Sequence, residues 1–153
     1  MKKLLFILIV FSLTFTYAQE GHNYSVSNIK ANSKNSDFGV TFYGDSLAVF
    51  ASSRRGKTLR NRVWVGNKQP FLELFKAEID SSGNFKKIKP FSKKLNSKYH
   101  ESNVTFTKDL STVYFSRNNY FDKKLTKDEE GVVLIQMYKA TVAAEGEWTN
   151  ITP

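Results

Sequence analysis

The sequence predicts an all-β chain, two copies of one four-stranded antiparallel unit preceded by a signal peptide. Three observations carry this. Short runs of β-branched and aromatic residues, bounded by Gly, Asp, Asn, Ser and Pro, recur along the chain, as strands of a half-buried sheet require. No segment sustains a helical period. The sequence also repeats itself: Val40-Thr41-Phe42 returns as Val104-Thr105-Phe106, an offset of 64. At that offset Asp45 falls on Asp109, Val49 on Val113, Phe50 on Tyr114 and Ser52 on Ser116. Further on the offset slips to 63, so that Leu74-Phe75-Lys76-Ala77 matches Met137-Tyr138-Lys139-Ala140. Gly83, Phe85, Ile88 and Pro90 then match Gly146, Trp148, Ile151 and Pro153. A one-residue slip is tolerated in a connection, whereas inside a strand it would turn every side chain to the wrong face.

The elements follow in order. The chain divides into a leader (1–18), a linker (19–36), a first repeat (37–96) and a second (97–153). In the first repeat Gly39 to Tyr43 and Ser46 to Ser52 form a hairpin through Gly44-Asp45. Leu72 to Asp80 is the third strand, with Phe75, Ala77 and Ile79 alternating on one face. Ser81-Ser82-Gly83-Asn84 supplies a turn into Phe85 to Ile88, and Pro90, which has no N–H for a ladder, closes the unit. The second repeat predicts strands at Asn103 to Thr107, Thr112 to Arg117, Leu134 to Val142 and Glu147 to Thr152. Four antiparallel strands at a fixed period are the pattern of propeller-type blades. The period of 64 is longer than the usual ~40–50 of such blades. The excess lies in Arg54 to Phe71 and Asn118 to Val133. Two blades do not close a ring of about four to eight, so the expectation is an incomplete β-propeller, continued or completed by further sequence or another chain.

Met1 to Ala18 reads as a secretory leader. Lys2 and Lys3 precede twelve apolar or small residues, Leu4 to Phe15, and Thr16-Tyr17-Ala18 offers small residues where a signal peptidase reads. Twelve residues of helix span about 18 Å, too little for a ~30 Å hydrocarbon core. The expectation is an exported protein, in the periplasm or at the outer membrane, with no transmembrane segment in the mature chain. The absence of cysteine excludes disulfide scaffolds, Cys-ligated zinc and thiol catalysis. The formal charge of +9 falls to +7 once Lys2 and Lys3 leave with the leader, a balance that favours anionic surfaces.

Chemistry is sparse. Asp45 and Asp109 sit in equivalent turns and read as carboxylates that accept nearby backbone N–H groups. His22 and His100, the only histidines, lie 78 residues apart, with no metal spacing around His22. No serine sits in a Gly-x-Ser-x-Gly elbow and no Gly-rich phosphate loop is present. Asp128-Glu129-Glu130 lack the alternating spacing of a calcium loop. No catalytic, cofactor-binding or metal-binding residue is therefore assigned, and the chain reads as no enzyme. Two basic clusters form a candidate polyanion-binding set. They are Arg54, Arg55, Lys57, Arg60 and Arg62, and Lys86, Lys87, Lys89, Lys93 and Lys94. For an exported chain the available polyanions are lipopolysaccharide, lipid phosphates and acidic glycans rather than nucleic acid.

The strings SDFGVTFYGDSLAVFASSR, QPFLELFKAEID, KYHESNVTFTKDLSTVYFSRNNY and YKATVAAEGEWTNITP resemble the N-terminal propeller region of OmpA-family outer-membrane proteins from Bacteroidetes. That region is built from WD40-like, TolB-type repeats. Thr107-Lys108-Asp109 followed by Val113-Tyr114-Phe115-Ser116 carries the blade pattern, with Leu110 and Ser46 standing where a glycine usually follows the aspartate. The resemblance covers residues 36 to 153. It implies a non-catalytic envelope binding or scaffold module that engages other envelope proteins, and lipopolysaccharide or peptidoglycan-associated material. Two alternatives stand beside it. One is the propeller accessory of a secreted, prolyl-oligopeptidase-like hydrolase. The other is a carbohydrate-binding module using Trp64, Trp148, Tyr120 and Phe121, of which only Trp64 and Tyr120 fall in loops.

Overall fold

A computed structural model describes residues 24–54, 62–143 and 147–153. The leader, His22, Arg55, Lys57, Arg60 and the Gly146 turn lie outside the described residues. Among those described every regular element is a strand, so no helix is long and apolar enough to cross a membrane. The first sheet contains β1 (Asp37–Tyr43), β2 (Leu47–Ser52), β3 (Glu73–Ile79) and β4 (Phe85–Pro90), antiparallel and in that order. The second contains β5 (Glu101–Phe106), β6 (Thr112–Asn118), β9 (Ile135–Val142) and β10 (Trp148–Thr152), again in chain order. Between β6 and β9 a small hairpin forms from β7 (Tyr120–Phe121) and β8 (Lys124–Leu125). The two four-stranded sheets stand where the repeat places them, to within two residues at most ends.

The repeat extends to irregularities. A bulge interrupts β1–β2 pairing between Phe38 and Thr41, and another interrupts β5–β6 pairing between Ser102 and Thr105. Gly39 and Asn103, 64 residues apart, occupy the two bulges with φ of 64° and 47°. Both residue types tolerate this left-handed conformation better than most. Two details differ from the sequence reading. Pro90 is the last residue of β4, opposite Phe75, rather than beyond the strand, as an edge strand allows. The counterpart of Phe50 is Phe115, not Tyr114. Phe50 pairs with Phe75 and Phe115 with Tyr138, and both ring pairs are stacked at an interplanar angle of 29°. The β5–β6 turn is one residue longer than the β1–β2 turn, and that residue shifts β6 so that its aromatic ring keeps the apolar face.

The sheets pack through unlike faces. Sheet 2 contributes Val113, Phe115, Tyr138, Ala140 and Trp148, and they meet Val49, Ala51 and Leu74 of sheet 1, with Phe91 and Leu95 from the β4–β5 connection. The equivalents of those sheet 2 residues, Phe50, Phe75, Ala77 and Phe85, lie on the other side of sheet 1. Residues Ile29 to Asn32 and the Arg54 side chain cover part of that side. Corresponding faces therefore point the same way, front onto back, instead of meeting as in a symmetric sandwich. Both outward faces remain partly open. Val40 is 51% exposed where its counterpart Val104 is 6% exposed. Met137 is 69% exposed where Leu74 is fully buried.

Phe115→Ala should cost about 3–5 kcal/mol, because its ring lies wholly inside the inter-sheet core. Phe42→Ala, at a ring 63% exposed, should change stability by less than about 0.5 kcal/mol. Urea unfolding of both variants at low protein concentration checks the contrast.

Candidate functional site

The two over-long connections converge. Val63 and Pro70 bridge across a tight loop in which Trp64 N–H donates to Gln69 O at 2.8 Å. This places Trp64 and Phe71 beside the start of β5. On the other side β7–β8 brings up Tyr120 and Leu125, and the entry to β9 brings Val133 and Ile135. Between them lies a cavity of about 530 Å3, within the usual range for small-ligand sites. Its wall is mainly aromatic and aliphatic, and Ser102, Asn118 and His100 supply the polar atoms.

His100 is the hinge of this region. Its Nδ1 accepts the Leu72 N–H at 3.1 Å, and Leu72 O accepts the Glu101 N–H at 3.0 Å, which stitches β3 to β5 and so sheet to sheet. His100 N–H donates to Asn118 Oδ1 at 3.0 Å, and His100 O accepts from Asn118 N–H at 3.1 Å. Because a backbone N–H can only donate, Nδ1 carries no proton, and the neutral ring holds its hydrogen on Nε2. Nε2 is buried and has no hydrogen-bond partner among the described residues. Burial holds the His100 pKa below its ordinary value, which keeps the ring neutral. Around it, the Phe71 ring lies at 4.6 Å and the Trp64 ring at 5.1 Å, edge to face. Tyr99 extends the cluster from Phe71 to Tyr120.

A second polar group lies deeper, in the inter-sheet contact. Glu101 is fully buried beside Arg117, its partner across the β5–β6 ladder, and neither carboxylate oxygen completes a hydrogen bond. Burial pushes the Glu101 carboxyl up to about 8, opposed by Ser97 and by the Arg117 charge, with the nearby Glu73 adding to the rise. The Arg117 guanidinium lies 4.1 Å from the centre of the Tyr138 ring and reaches Leu95 O at 3.5 Å. The first repeat holds a matching set in closed form. Asp37 stands where Glu101 does and bonds Arg54 at 2.7 Å, while Arg54 covers Phe50 and Phe75 as Arg117 covers Phe115 and Tyr138.

The residues singled out in the sequence fall as follows. Arg54 is tied to Asp37, Ser52 and Ala31 O, with little exposure. Arg62 is exposed. Lys86, Lys87 and Lys94 pair with Asp80, Glu78 and Glu147 at 2.6 to 2.8 Å, whereas Lys89 and Lys93 are exposed and make no such pair among the described residues. Lys86, Lys87 and Lys89 with Pro90 line edge strand β4, a composition that discourages pairing with another strand. Asp109 accepts from Thr107 Oγ1, Ser111 Oγ and Ser111 N–H, which hold it down to about 2. Asp45 makes none of these bonds, as its turn is shorter. Asp128 accepts the N–H groups of Glu130 and Val132, so the acidic run is anchored as a turn. Among the described residues no three His, Asp or Glu side chains gather to hold a metal. Trp148 is in the core, and Phe121 is exposed and packs near Tyr138.

Glu101 has a clear consequence for stability. Its folded pKa is raised above the ordinary 4.5, so its contribution is complete below about pH 4.5 and is lost as pH rises through about 8. His100, whose pKa is lowered, acts in the opposite sense below about 6.5. Glu101→Gln keeps the shape without the charge, so the variant should gain stability relative to the parent between about pH 5 and pH 8. Urea midpoints across that range test this, and a constant gap would show Glu101 ionised throughout. Comparison of the chain with protein-family models, curated proteins and solved structures found no match.

Proposed function

We propose that the chain is a non-catalytic binding and scaffold module of the cell envelope, built from propeller-type blades. The supporting observation is the front-onto-back stacking of equivalent faces. A front-to-back contact does not close on itself and can be repeated, which suits a ring or an array. Its two open faces match the two halves of the contact already made. Val40 and Phe42 stand where Val104 and Phe106 pack on sheet 1, and Tyr114 and Met137 stand where Val49 and Leu74 receive sheet 2. The leader pattern and the resemblance to OmpA-family propeller regions support a location outside the cytoplasm, among envelope proteins and polyanions. Lys89, Lys93 and Arg62 are the described cations best placed to meet an anionic surface, because the neighbouring lysines already have acidic partners.

Sedimentation velocity over a concentration series tests the scaffold reading. Self-association, or association with another blade-containing envelope protein, should weaken at least tenfold in both Met137→Glu and Phe42→Glu. Binding to lipopolysaccharide should fall with added salt and fall further in Lys89→Glu/Lys93→Glu. A chain that stays monomeric, ignores envelope fractions and turns over a peptide or glycoside would overturn the proposal.

A further inference from the structure

We propose that Asn32 is the open half of a side-chain clamp that joins this chain head to tail to a second copy of itself, gripping the main chain at Met137 in strand β9 of that copy. The inference rests on the scaffold reading and gives the scaffold a partner and a polar anchor for it.

The clamp is already closed once within the chain. Asn96, in the connection before β5, lays its carboxamide against Leu74 of β3. Leu74 N–H donates to Asn96 Oδ1 at 2.8 Å, and Asn96 Nδ2 donates to Leu74 O at 3.0 Å. One side chain thus satisfies both main-chain groups of a residue in the other sheet. The segment that carries it is repeated. Asn32-Ser33-Lys34 stands 64 residues before Asn96-Ser97-Lys98, the same offset that relates the first strands of the two sheets. Its surroundings repeat too. Ala31 O accepts from Arg54 Nη2 at 2.9 Å, where Leu95 O accepts from Arg117 Nη1 at 3.5 Å. Ser33 N–H donates to Asp37, where Ser97 lies beside Glu101. Ala31 and Leu95 are both buried. Asn32 is therefore held at the front of sheet 1 as Asn96 is held at the front of sheet 2. It differs in what it grips: Asn32 is exposed, and among the described residues its carboxamide meets only Asn28 Oδ1, at 3.5 Å.

The counterpart of Leu74 identifies the partner. Met137 faces Ser116 across β6–β9 as Leu74 faces Ala51 across β2–β3, and β10 stays in register with β9 only as far as Lys139. The main chain at Met137 therefore stands beyond the described β10 ladder, and its side chain is open where that of Leu74 is buried. The two halves cannot meet within one chain, because front-onto-back stacking sets the front of sheet 1 and the back of sheet 2 at opposite ends. A second copy supplies the missing surface. Side-chain sizes agree with this pairing. Leu74 and Leu95 share the closed core, whereas the open halves carry the smaller Ala31 and the longer Met137. A cavity of about 60 Å3 beside Ala31, bounded by Ile29, Val40 and Phe50, is where the flexible Met137 thioether would enter.

The test is sedimentation velocity of the exported protein over a concentration series, with the parent, Asn32→Ala, Met137→Glu and an equimolar mixture of those two variants. The parent should form oligomers larger than a dimer, because a head-to-tail contact leaves one front and one back free. Asn32→Ala alone should associate about five- to a hundredfold more weakly, the worth of two hydrogen bonds, with an unchanged urea midpoint. Asn32→Asp, which cannot donate to Met137 O, should weaken association at least as much. Asn96→Ala should instead lower the urea midpoint, since its clamp lies inside the fold. The mixture should recover a 1:1 dimer that grows no further, because the Met137→Glu copy keeps an intact front and the Asn32→Ala copy an intact back. Amide exchange at Met137 of the Asn32→Ala copy should slow in that dimer. Parent-like association of Asn32→Ala, or a mixture that stays monomeric, would overturn the inference; if Met137→Glu and Phe42→Glu still weaken association, the scaffold reading stands. A parent that stays monomeric yet binds another blade-containing envelope protein removes the second copy and leaves the scaffold. If the mixture dimerises while the chain turns over a peptide or glycoside, the inference stands and the non-catalytic reading falls.

Discussion

The contact between the front of sheet 2 and the back of sheet 1 supports everything else in the molecule. A lone four-stranded antiparallel sheet buries one face at most, and the described residues contain no helix to cover it. Phe115, Tyr138 and Trp148 find that cover on Val49, Ala51 and Leu74, with Phe91 and Leu95 closing the side. Tyr43, Phe91, Phe106 and Trp148 make a connected aromatic group, with ring centres 4.8 to 6.3 Å apart, so residues from both repeats share one core. The same contact holds β5 against the start of β3, which positions His100 and with it the cavity.

Duplication explains the shape of the core and also its one expensive feature. Each copy has an acid at the start of its first strand and an arginine over a stacked aromatic pair. In the first copy this group faces the side that, among the described residues, Ile29 to Asn32 partly cover, and Arg54 and Asp37 meet there directly. In the second copy the corresponding face is pressed onto sheet 1, and Glu101 is removed from water without a complete set of partners. Equivalent residues therefore have opposite electrostatics, with the Asp37 carboxyl held below its usual range and Glu101 pushed far above it. For Asp37, hydrogen bonds from Ser52, Arg54 and Ser33 together outweigh a desolvation that is the largest single influence. At Glu101 desolvation prevails.

The strands and the connections have divided their tasks. Strands repeat because the packing face must be kept, and even the bulges at Gly39 and Asn103 are retained. The connections after β2 and β6 need only return the chain to the next strand, and both are longer than that task requires. Of their described residues, Trp64, Phe71, Leu125 and Val133 come together beside His100 and wall the cavity. Function placed on loops over a rigid sheet is the common arrangement.

Much of this architecture was legible in the residues themselves. Period-two alternation and turn residues determined eight strands, their order and the duplication, because these depend on local geometry and on which side chains must share a face. Asp109 as a turn carboxylate was legible for the same reason, since its partners lie two residues away. The cavity was not. Trp64, Phe71, His100, Leu125 and Val133 come from three connections, and the only local sign was a surplus of aromatic residues in over-long loops. Nor could the sequence separate Phe115 from Tyr114 as the counterpart of Phe50, because one residue in a turn decides which face a strand presents. Glu101 likewise drew no notice in the sequence, lying just before the strand predicted at Asn103 to Thr107. Burial is a property of what lies across the sheet, and only the packing of two repeats front onto back decided that Asp37 would keep its arginine and Glu101 would lose its water.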